Sequence, residues 1–482
     1  MADYKTPGVY VEELSKFPPS VASVATAIPA FIGVTAKCPE GKDKQPIKVT
    51  SLVDFESKFG EGPVLKIGAN GLENKEYVMY DSMRLFYDNG GGTCYVISIA
   101  QTSDSKFSKP NANEYKNTIP SLEKVDDVTL LLFPDAPFVL DSEDSLGDLH
   151  QAALNHCGKL KDRFAILDLK EPTNENDPWE NFRTKVGANN LSYGAAYYPY
   201  LQTTYSKEIS YDEMKKDKKI KEILDKTDAE KPEEKYNSLK TLKSKYEKKG
   251  NTEAEKKLYA NALIQEIDKL AKGENKKGYS EILAEYQAQA QIITPSAAIA
   301  GIYASTDRNK GVWQAPANIS ISSVSNVTVQ LSDAEQEEMN IDSTGKSINA
   351  IRNFTGKGIL VWGARTLDGN SNEWKYIPVR RLFNYIEESV QKSTDWAVFQ
   401  PNDANTWVKV QCQIENFLSN LWRDGALAGS TPEKAFYVKV GQDVTMTSDD
   451  ILNGRMLIEI GLAAVRPAEF IVLKFSHKLQ EA

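Results

Sequence analysis

The sequence predicts an α/β (α+β) fold in two domains, with extended arms at both ends and a helical insertion inside the first domain. Three observations carry this. Short β-prone apolar runs alternate with helix-period segments on both sides of a long charged stretch. That stretch has helical spacing of its own. The first 27 residues read as extended, and the chain closes on a strand-like run. A length of 482 residues with 41% apolar content suffices for two or three cores.

Residues 1–27 form an arm and a linker. Thr6-Pro7-Gly8 precedes the β-rich Val9-Tyr10-Val11, and Pro18-Pro19 with many small residues follows. Residues 28–345 form the first α/β domain, with strands at Ala30–Val34, Cys94–Ile99, Val128–Phe133, Phe164–Leu167 and Ala195–Tyr198. A helix is expected from Leu146 to Leu160, with Leu146, Ala153, Cys157 and Leu160 turned inward. From Lys207 to Gly250, 25 of 44 residues are charged, 14 Lys against 11 acidic, so the stretch is nearly balanced. Leu239, Leu242 and Tyr246, then Tyr259, Leu263, Ile267 and Leu270, keep helical spacing. Residues 207–291 therefore read as an inserted helical hairpin or small bundle. Pro232 and Gly250 interrupt the apolar stripe too often for a sustained coiled coil.

Residues 346–482 read as a second, mixed-sheet domain. Strands are expected at Ile359–Trp362, Trp396–Phe399, Phe436–Val440, Met456–Ile460 and Glu469–Phe475, the last within a C-terminal arm strand at 469–477. Helices are expected at Val379–Val390 and Asn405–Arg423. On the second helix, Lys409, Gln413, Asn416, Asn420 and Arg423 step by four, three, four and three, and are expected to form an outward polar stripe.

The net charge is −9, which argues against a nucleic-acid coat or an anionic membrane surface as partner. No apolar run approaches the ~18 residues of a membrane span, and no signal segment opens the sequence, so export by general secretion is not expected. Cys38, Cys94, Cys157 and Cys412 are widely spaced and expected to be reduced, mostly buried thiols.

Chemistry is thin. Asn89-Gly90-Gly91-Gly92-Thr93 lacks the Lys-Ser/Thr of a phosphate loop and precedes a strand where such a loop follows one, so it reads as a sharp turn. His150 and His156, six apart on one helix, point to separate faces, while His150 and Cys157 lie ~10.5 Å apart along the axis. Neither pair grips a metal unaided. Asp135 and Asp168 each end an apolar run, where open α/β sheets bind ligands, and two carboxylates there could hold a divalent ion. A metal-dependent α/β enzyme using them is one alternative, and a binding module docking through the helical insert is another. Asp is also a common loop starter or helix cap, and no base, nucleophile or cofactor motif supports catalysis, so no cofactor is expected.

Several ordered stretches resemble the contractile tail sheath family of phages, R-type bacteriocins and extracellular contractile injection systems. They are Tyr4-Lys5-Thr6-Pro7-Gly8-Val9-Tyr10-Val11-Glu12-Glu13, Phe86-Tyr87-Asp88-Asn89-Gly90-Gly91-Gly92-Thr93-Cys94-Tyr95-Val96, Gly311-Val312-Trp313-Gln314-Ala315-Pro316, Gly358-Ile359-Leu360-Val361-Trp362-Gly363-Ala364-Arg365, Val379-Arg380-Arg381-Leu382-Phe383 and Arg466-Pro467-Ala468-Glu469-Phe470. The Lys/Glu-rich insert matches no motif of the family.

The resemblance implies a mechanical part and not an enzyme: a subunit of stacked hexameric rings around an inner tube, whose contraction drives the tube through a target envelope. The first domain would face outward. The arms, through Val9, Tyr10, Val11, Phe470, Ile471, Val472 and Leu473, would add strands to neighbouring C-terminal domains, and the polar stripe would touch the tube. Implied partners are further copies of the chain, paralogous sheath subunits, the inner tube protein, and baseplate and terminal cap proteins. Nucleic acid and direct membrane insertion are not implied. Assembly would occur in the bacterial cytoplasm, before the particle becomes a phage tail or a released or cell-bound injection device.

Overall fold

The computed structural model describes residues 21–68, 71–103, 107–171, 178–228 and 233–471. They fall into two compact units, Ala25–Arg380 and a smaller one from Arg381 onward that also takes the chain up to Val24.

The larger unit is organised by a nine-stranded sheet. Its strands are β1 (Pro29–Thr35), β2 (Ile47–Val49), β3 (Cys94–Gln101), β4 (Leu130–Leu132), β5 (Phe164–Asp168), β6 (Gly194–Tyr198), β7 (Ile319–Ser320), β8 (Ile348–Phe354) and β9 (Gly358–Val361), in the order β7-β9-β8-β6-β5-β4-β1-β3-β2. The central strands run parallel, while β2 on one side and β9 and β7 on the other are antiparallel to their neighbours.

Parallel strands need cover on both faces, which explains continuous apolar runs in place of alternation. Ala30, Ile32 and Val34 of β1, Ile97 of β3 and Leu167 of β5 enter one core with helix α1 (Glu143–Leu160). Phe31, Val96 and Ile166 enter the opposite core, with helices α2 (Met79–Asp88) and α3 (Ser296–Lys310). The Ser142 hydroxyl accepts the Ser145 N–H and starts α1 a turn before Leu146.

The domain boundary differs from expectation. Ile348–Phe354 pairs with Gly194–Tyr198 in the large sheet, so its strand cannot open a separate domain at residue 346, and the division falls after Arg380. The insertion is a helical bundle, spanning Tyr211–Met214, Lys218–Asp225, Asn237–Tyr246, Glu253–Gly273 and Tyr279–Ala290. Its core also takes Leu65, Ile67 and Leu72, from the hairpin Lys66–Gly68/Gly71–Glu73 far upstream.

In the smaller unit, helices α4 (Ile377–Thr394, from Arg381 onward) and α5 (Ala404–Arg423) accompany the antiparallel pair β10 (Phe436–Val440) and β11 (Ile458–Leu462). Asp403 caps α5 by accepting the Thr406 N–H at 3.0 Å. The expected strand Trp396–Phe399 is absent. Asp395–Ala397 is a 3-10 turn, the Trp396 indole donates to Gln413 Oε1 at 2.8 Å, and Phe399 has φ +64. An indole N–H needs an acceptor when covered, and α5 supplies one where a strand would not.

Candidate functional site

The carboxylates of the enzymatic alternative are structural ties. Asp135 is fully buried; it accepts the Tyr115 hydroxyl at 2.9 Å and the Val34 N–H, binding the end of β4 to β1. A Cβ on Gly33 would lie 2.5 Å from Asp135 Oδ1, so glycine leaves room for this carboxyl. Asp168 is also buried and accepts the Ser296 N–H at 2.9 Å, joining β5 to the first turn of α3. Desolvation pushes both carboxyls up to about 7. Neither reaches solvent, and among the described residues no three metal-ligating side chains cluster.

The other polar candidates are equally enclosed. Burial lowers His150 to about 3, against the Phe182 ring, and lowers His156 to about 4. Next to His156, Arg163 donates to the Leu122 and Val125 carbonyls. The Asn89–Thr93 stretch is a turn: Gly90 has φ +94 and the Gly91 N–H returns to the Phe86 carbonyl at 2.9 Å. Cys94 and Cys157 are buried and Cys38 is half-buried, but Cys412 is exposed, against expectation.

The smaller unit offers a different kind of site. Phe383, Ile386 and Val390 of α4, Ile414 of α5, and Ile458, Ile460 and Leu462 of β11 line an open apolar groove of about 340 Å³. The register Val438↔Ile460 places alternate β11 residues on the groove side. Neither outer edge of the β10–β11 pair carries a further strand among the described residues. The chain entering the unit is fastened to α4, with Ala22 N–H donating to Ser393 Oγ at 3.0 Å and Val24 N–H to Ser389 Oγ at 3.4 Å.

Of the residues expected in the arm strands, Phe470 and Ile471 lie outside any strand and are 69% and 81% exposed. Val9, Tyr10, Val11, Val472 and Leu473 lie outside the described residues. On α5, Lys409, Asn416, Asn420 and Arg423 are exposed. Gln413 is a correction. It is buried, and its amide bridges the Trp396 indole and the Ser393 carbonyl, at 2.8 and 2.9 Å. Cys412 takes its place on the outward stripe. Sequence periodicity missed the groove, because its walls come from segments some 75 residues apart in the chain, as Phe383 and Ile458 are.

The mixed α/β architecture with its large mixed sheet matches solved structures of contractile sheath subunits. The chain is similar to contractile tail sheath proteins. The family model for the phage tail sheath C-terminal domain matches residues 370–478. The chain is 28% identical to the sheath chain of the extracellular contractile injection system PVC in its contracted state, with a TM-score of 0.63, covering 100% of this chain and 99% of that one. It is likewise 28% identical to a chain of the anti-feeding prophage helical sheath in its contracted state, with a TM-score of 0.64, covering 98% and 100%. The tail sheath protein of Vibrio phage KVP40 is 28% identical over 126 residues, 26% of this chain and 18% of that protein. The match thus spans about a fifth of the curated phage relative.

Proposed function

We propose that the chain is the structural subunit of a contractile sheath, polymerising as stacked hexameric rings around an inner tube and contracting to drive that tube through a target envelope. The observation that carries the reading is the likeness, over essentially the whole chain, to sheath chains of two contractile particles. The open groove supports it. A strand laid against β11 would gain backbone bonds at an unpaired edge and cover Ile386, Val390 and Ile460. The arm segments around Val9–Val11 and Phe470–Leu473, each rich in β-prone apolar residues, suit that place.

Backbone bonds at ~1 kcal/mol each roughly offset the ~1–2 kcal/mol per residue of ordering an arm. Burial of the apolar side chains, at ~1.5–3 kcal/mol each, supplies the surplus. The exposed stripe Lys409, Asn416, Asn420 and Arg423 is the proposed contact with the inner tube. Such weak polar contacts of ~0.2–1 kcal/mol hold a metastable state and still release it. Baseplate and cap proteins would close the ends of the polymer, and the work would come from the lattice and not from a nucleotide. Electron microscopy of the purified chain tests the reading. Tubes or rings are expected, and a chain that stays monomeric at high concentration with both arms intact would overturn it.

A further inference from the structure

The inserted bundle carries an ionic cluster that the sheath reading does not use. Glu274 is the C-cap of the long helix Glu253–Gly273. A carboxylate there faces the negative end of the helix dipole, a poor place for an anion and a good one for cations. Three ammonium groups offset this. Glu274 Oε2 accepts from Lys226 Nζ at 2.7 Å and has Lys276 Nζ at 3.2 Å. Glu274 Oε1 accepts from Lys235 Nζ at 3.1 Å and from the Tyr236 hydroxyl. Lys226 Nζ also donates to the Tyr236 hydroxyl at 3.0 Å, and the Lys226 and Lys235 ammoniums stand 5.4 and 5.0 Å from the centre of the Tyr236 ring. Hydrogen bonds from Lys226, Tyr236 and Lys235 hold the Glu274 carboxyl well below the usual carboxylate range. Ionic strength, and not ordinary pH, is therefore what acts on this cluster.

The donors come from separate elements. Lys226 begins the 3-10 turn that ends the helix Lys218–Asp225. Lys235 and Tyr236 belong to the 3-10 turn Glu234–Tyr236, which leads into the helix Asn237–Tyr246. Beneath the charges, Tyr236 is buried and joins Leu224, Leu239 and Leu270 in the bundle core. Its ring thus ties the cluster at the surface to the apolar packing below. A single exposed ion pair contributes little. Here one carboxylate, its side chain 18% exposed, gathers four donors, and without it three like charges would crowd together beside one phenol. We infer that Glu274 is the lock of a salt-sensitive clasp. It fastens the helices Lys218–Asp225 and Asn237–Tyr246 to the end of the helix Glu253–Gly273, and lets them loosen at high ionic strength while the large sheet stays folded. This device belongs to the bundle and does not depend on the sheath reading.

Amide hydrogen exchange on the full chain tests this at about 0.1 and about 1 M NaCl, between which the screening length falls from ~10 to ~3 Å. In the wild type, amides of Lys218–Asp225 and Asn237–Tyr246 should exchange roughly three- to tenfold faster at the higher salt. Those of β5 and β6 should not change. Glu274→Gln should exchange roughly tenfold faster than wild type in the same two helices at low salt, and gain nothing more from added salt. Lys235→Gln removes one donor and should fall between the two. Glu253→Gln breaks the lone pair with Lys256 at the other end of the same helix and should match wild type at both salt levels. Three results would each overturn the inference: no salt effect in the wild type, a salt response in Glu274→Gln equal to the wild type's, or an equal loss of protection in Glu253→Gln. Loss of protection in β5 and β6 along with the bundle would overturn it too, because the clasp would then not act on the bundle alone.

Discussion

The nine-stranded sheet of the larger unit and the β10–β11 pair of the smaller one are built from similar residues and finished differently. In the unit Ala25–Arg380, the central strands are covered on both faces, and Phe31, Ile97, Leu131, Ile166 and Ala196 lose all contact with solvent. In the smaller unit the sheet has two strands, an apolar groove stands open beside β11, and the chain leaves the described residues through exposed Phe470 and Ile471. A two-stranded pair is marginal without further cover. The large unit thus completes its own core, while the small one leaves an apolar groove open among the described residues. This division is what the proposed sheath role requires, with a core that stands alone and an edge that a neighbour would cover.

The largest test of that comparison removes the proposed completion. A chain lacking residues 1–15 is expected to stay soluble with an unchanged melting profile, and to form no tubes in electron micrographs. Val9→Asp with Val11→Asp should do the same, since a charged pair buried in the apolar groove costs several kcal/mol per lattice contact. Normal sheaths from either chain would show that the groove is completed by something other than this arm.

The closed unit can be probed through its buried carboxylates. The carboxyl of Asp168 is raised from 3.8 to about 7 by burial. Between pH 4 and 7 the unfolded chain ionises at this position while the folded one holds its proton. Its contribution to stability therefore falls as pH rises through that window and is level above it. Asp168→Asn keeps an acceptor for the Ser296 N–H and does not titrate. Relative to wild type, it should gain on the order of a few kcal/mol in urea unfolding as pH goes from 4 to 7. The difference between the two chains isolates this residue. His150, lowered by burial to about 3, acts in the opposite direction, because the unfolded chain takes up that proton first as pH drops below 6.5. A constant difference across the window would mean that Asp168 is charged in the folded state throughout.

A smaller effect is expected on the open unit. Lys409→Glu with Arg423→Glu reverses two exposed charges on α5, each in a contact of ~0.2–1 kcal/mol. Assembly should persist, with a larger share of contracted sheaths empty of tube and a stronger dependence on salt. An unchanged proportion of extended, tube-filled particles would make the stripe a solvated face.

How much of this was legible in the sequence depends on the range of the interaction. Ala30–Val34 and Phe164–Leu167 were readable because a strand buried on both faces is a bare apolar run between breakers. Trp396–Phe399 has the same look, but a tertiary bond from the Trp396 indole to Gln413 turned it into a 3-10 turn and a projecting loop. That bond also explains the error at Gln413. A four-residue step from Lys409 advances the helix by about 40°, enough to carry Gln413 to the edge of the buried face beside Ile414. Asp135 and Asp168 were correctly placed at strand ends, but local sequence carries no sign of Tyr115 or Ser296 closing over them. The hairpin at 66–73 escaped notice because its strands are three residues each, and its purpose lies in the core of the insertion.

The insertion yields the smallest expected effect and the strictest control on the comparison, because it is neither the closed sheet nor the open groove. Its ends already meet: the Thr203 N–H donates to the Gln291 carbonyl at 2.9 Å, and the Gln291 amide to the Tyr205 carbonyl at 3.1 Å. A short Gly/Ser linker replacing residues 208–290 should therefore close without strain. Lys207 must stay, because it pairs with Asp81, which is buried in α2 beside Arg84. Removing one partner of such a pair strands the other. The upstream hairpin must be adapted too. Leu65, Ile67 and Leu72 pack into the core of the bundle, and would be bared at ~1.5–3 kcal/mol each if left unchanged. With those three made polar, tube formation and melting temperature are expected to match wild type within ~0.5 kcal/mol, since a densely charged surface of this kind is poor material for a buried subunit interface. A chain that folds normally but assembles no tubes would place the bundle within the lattice.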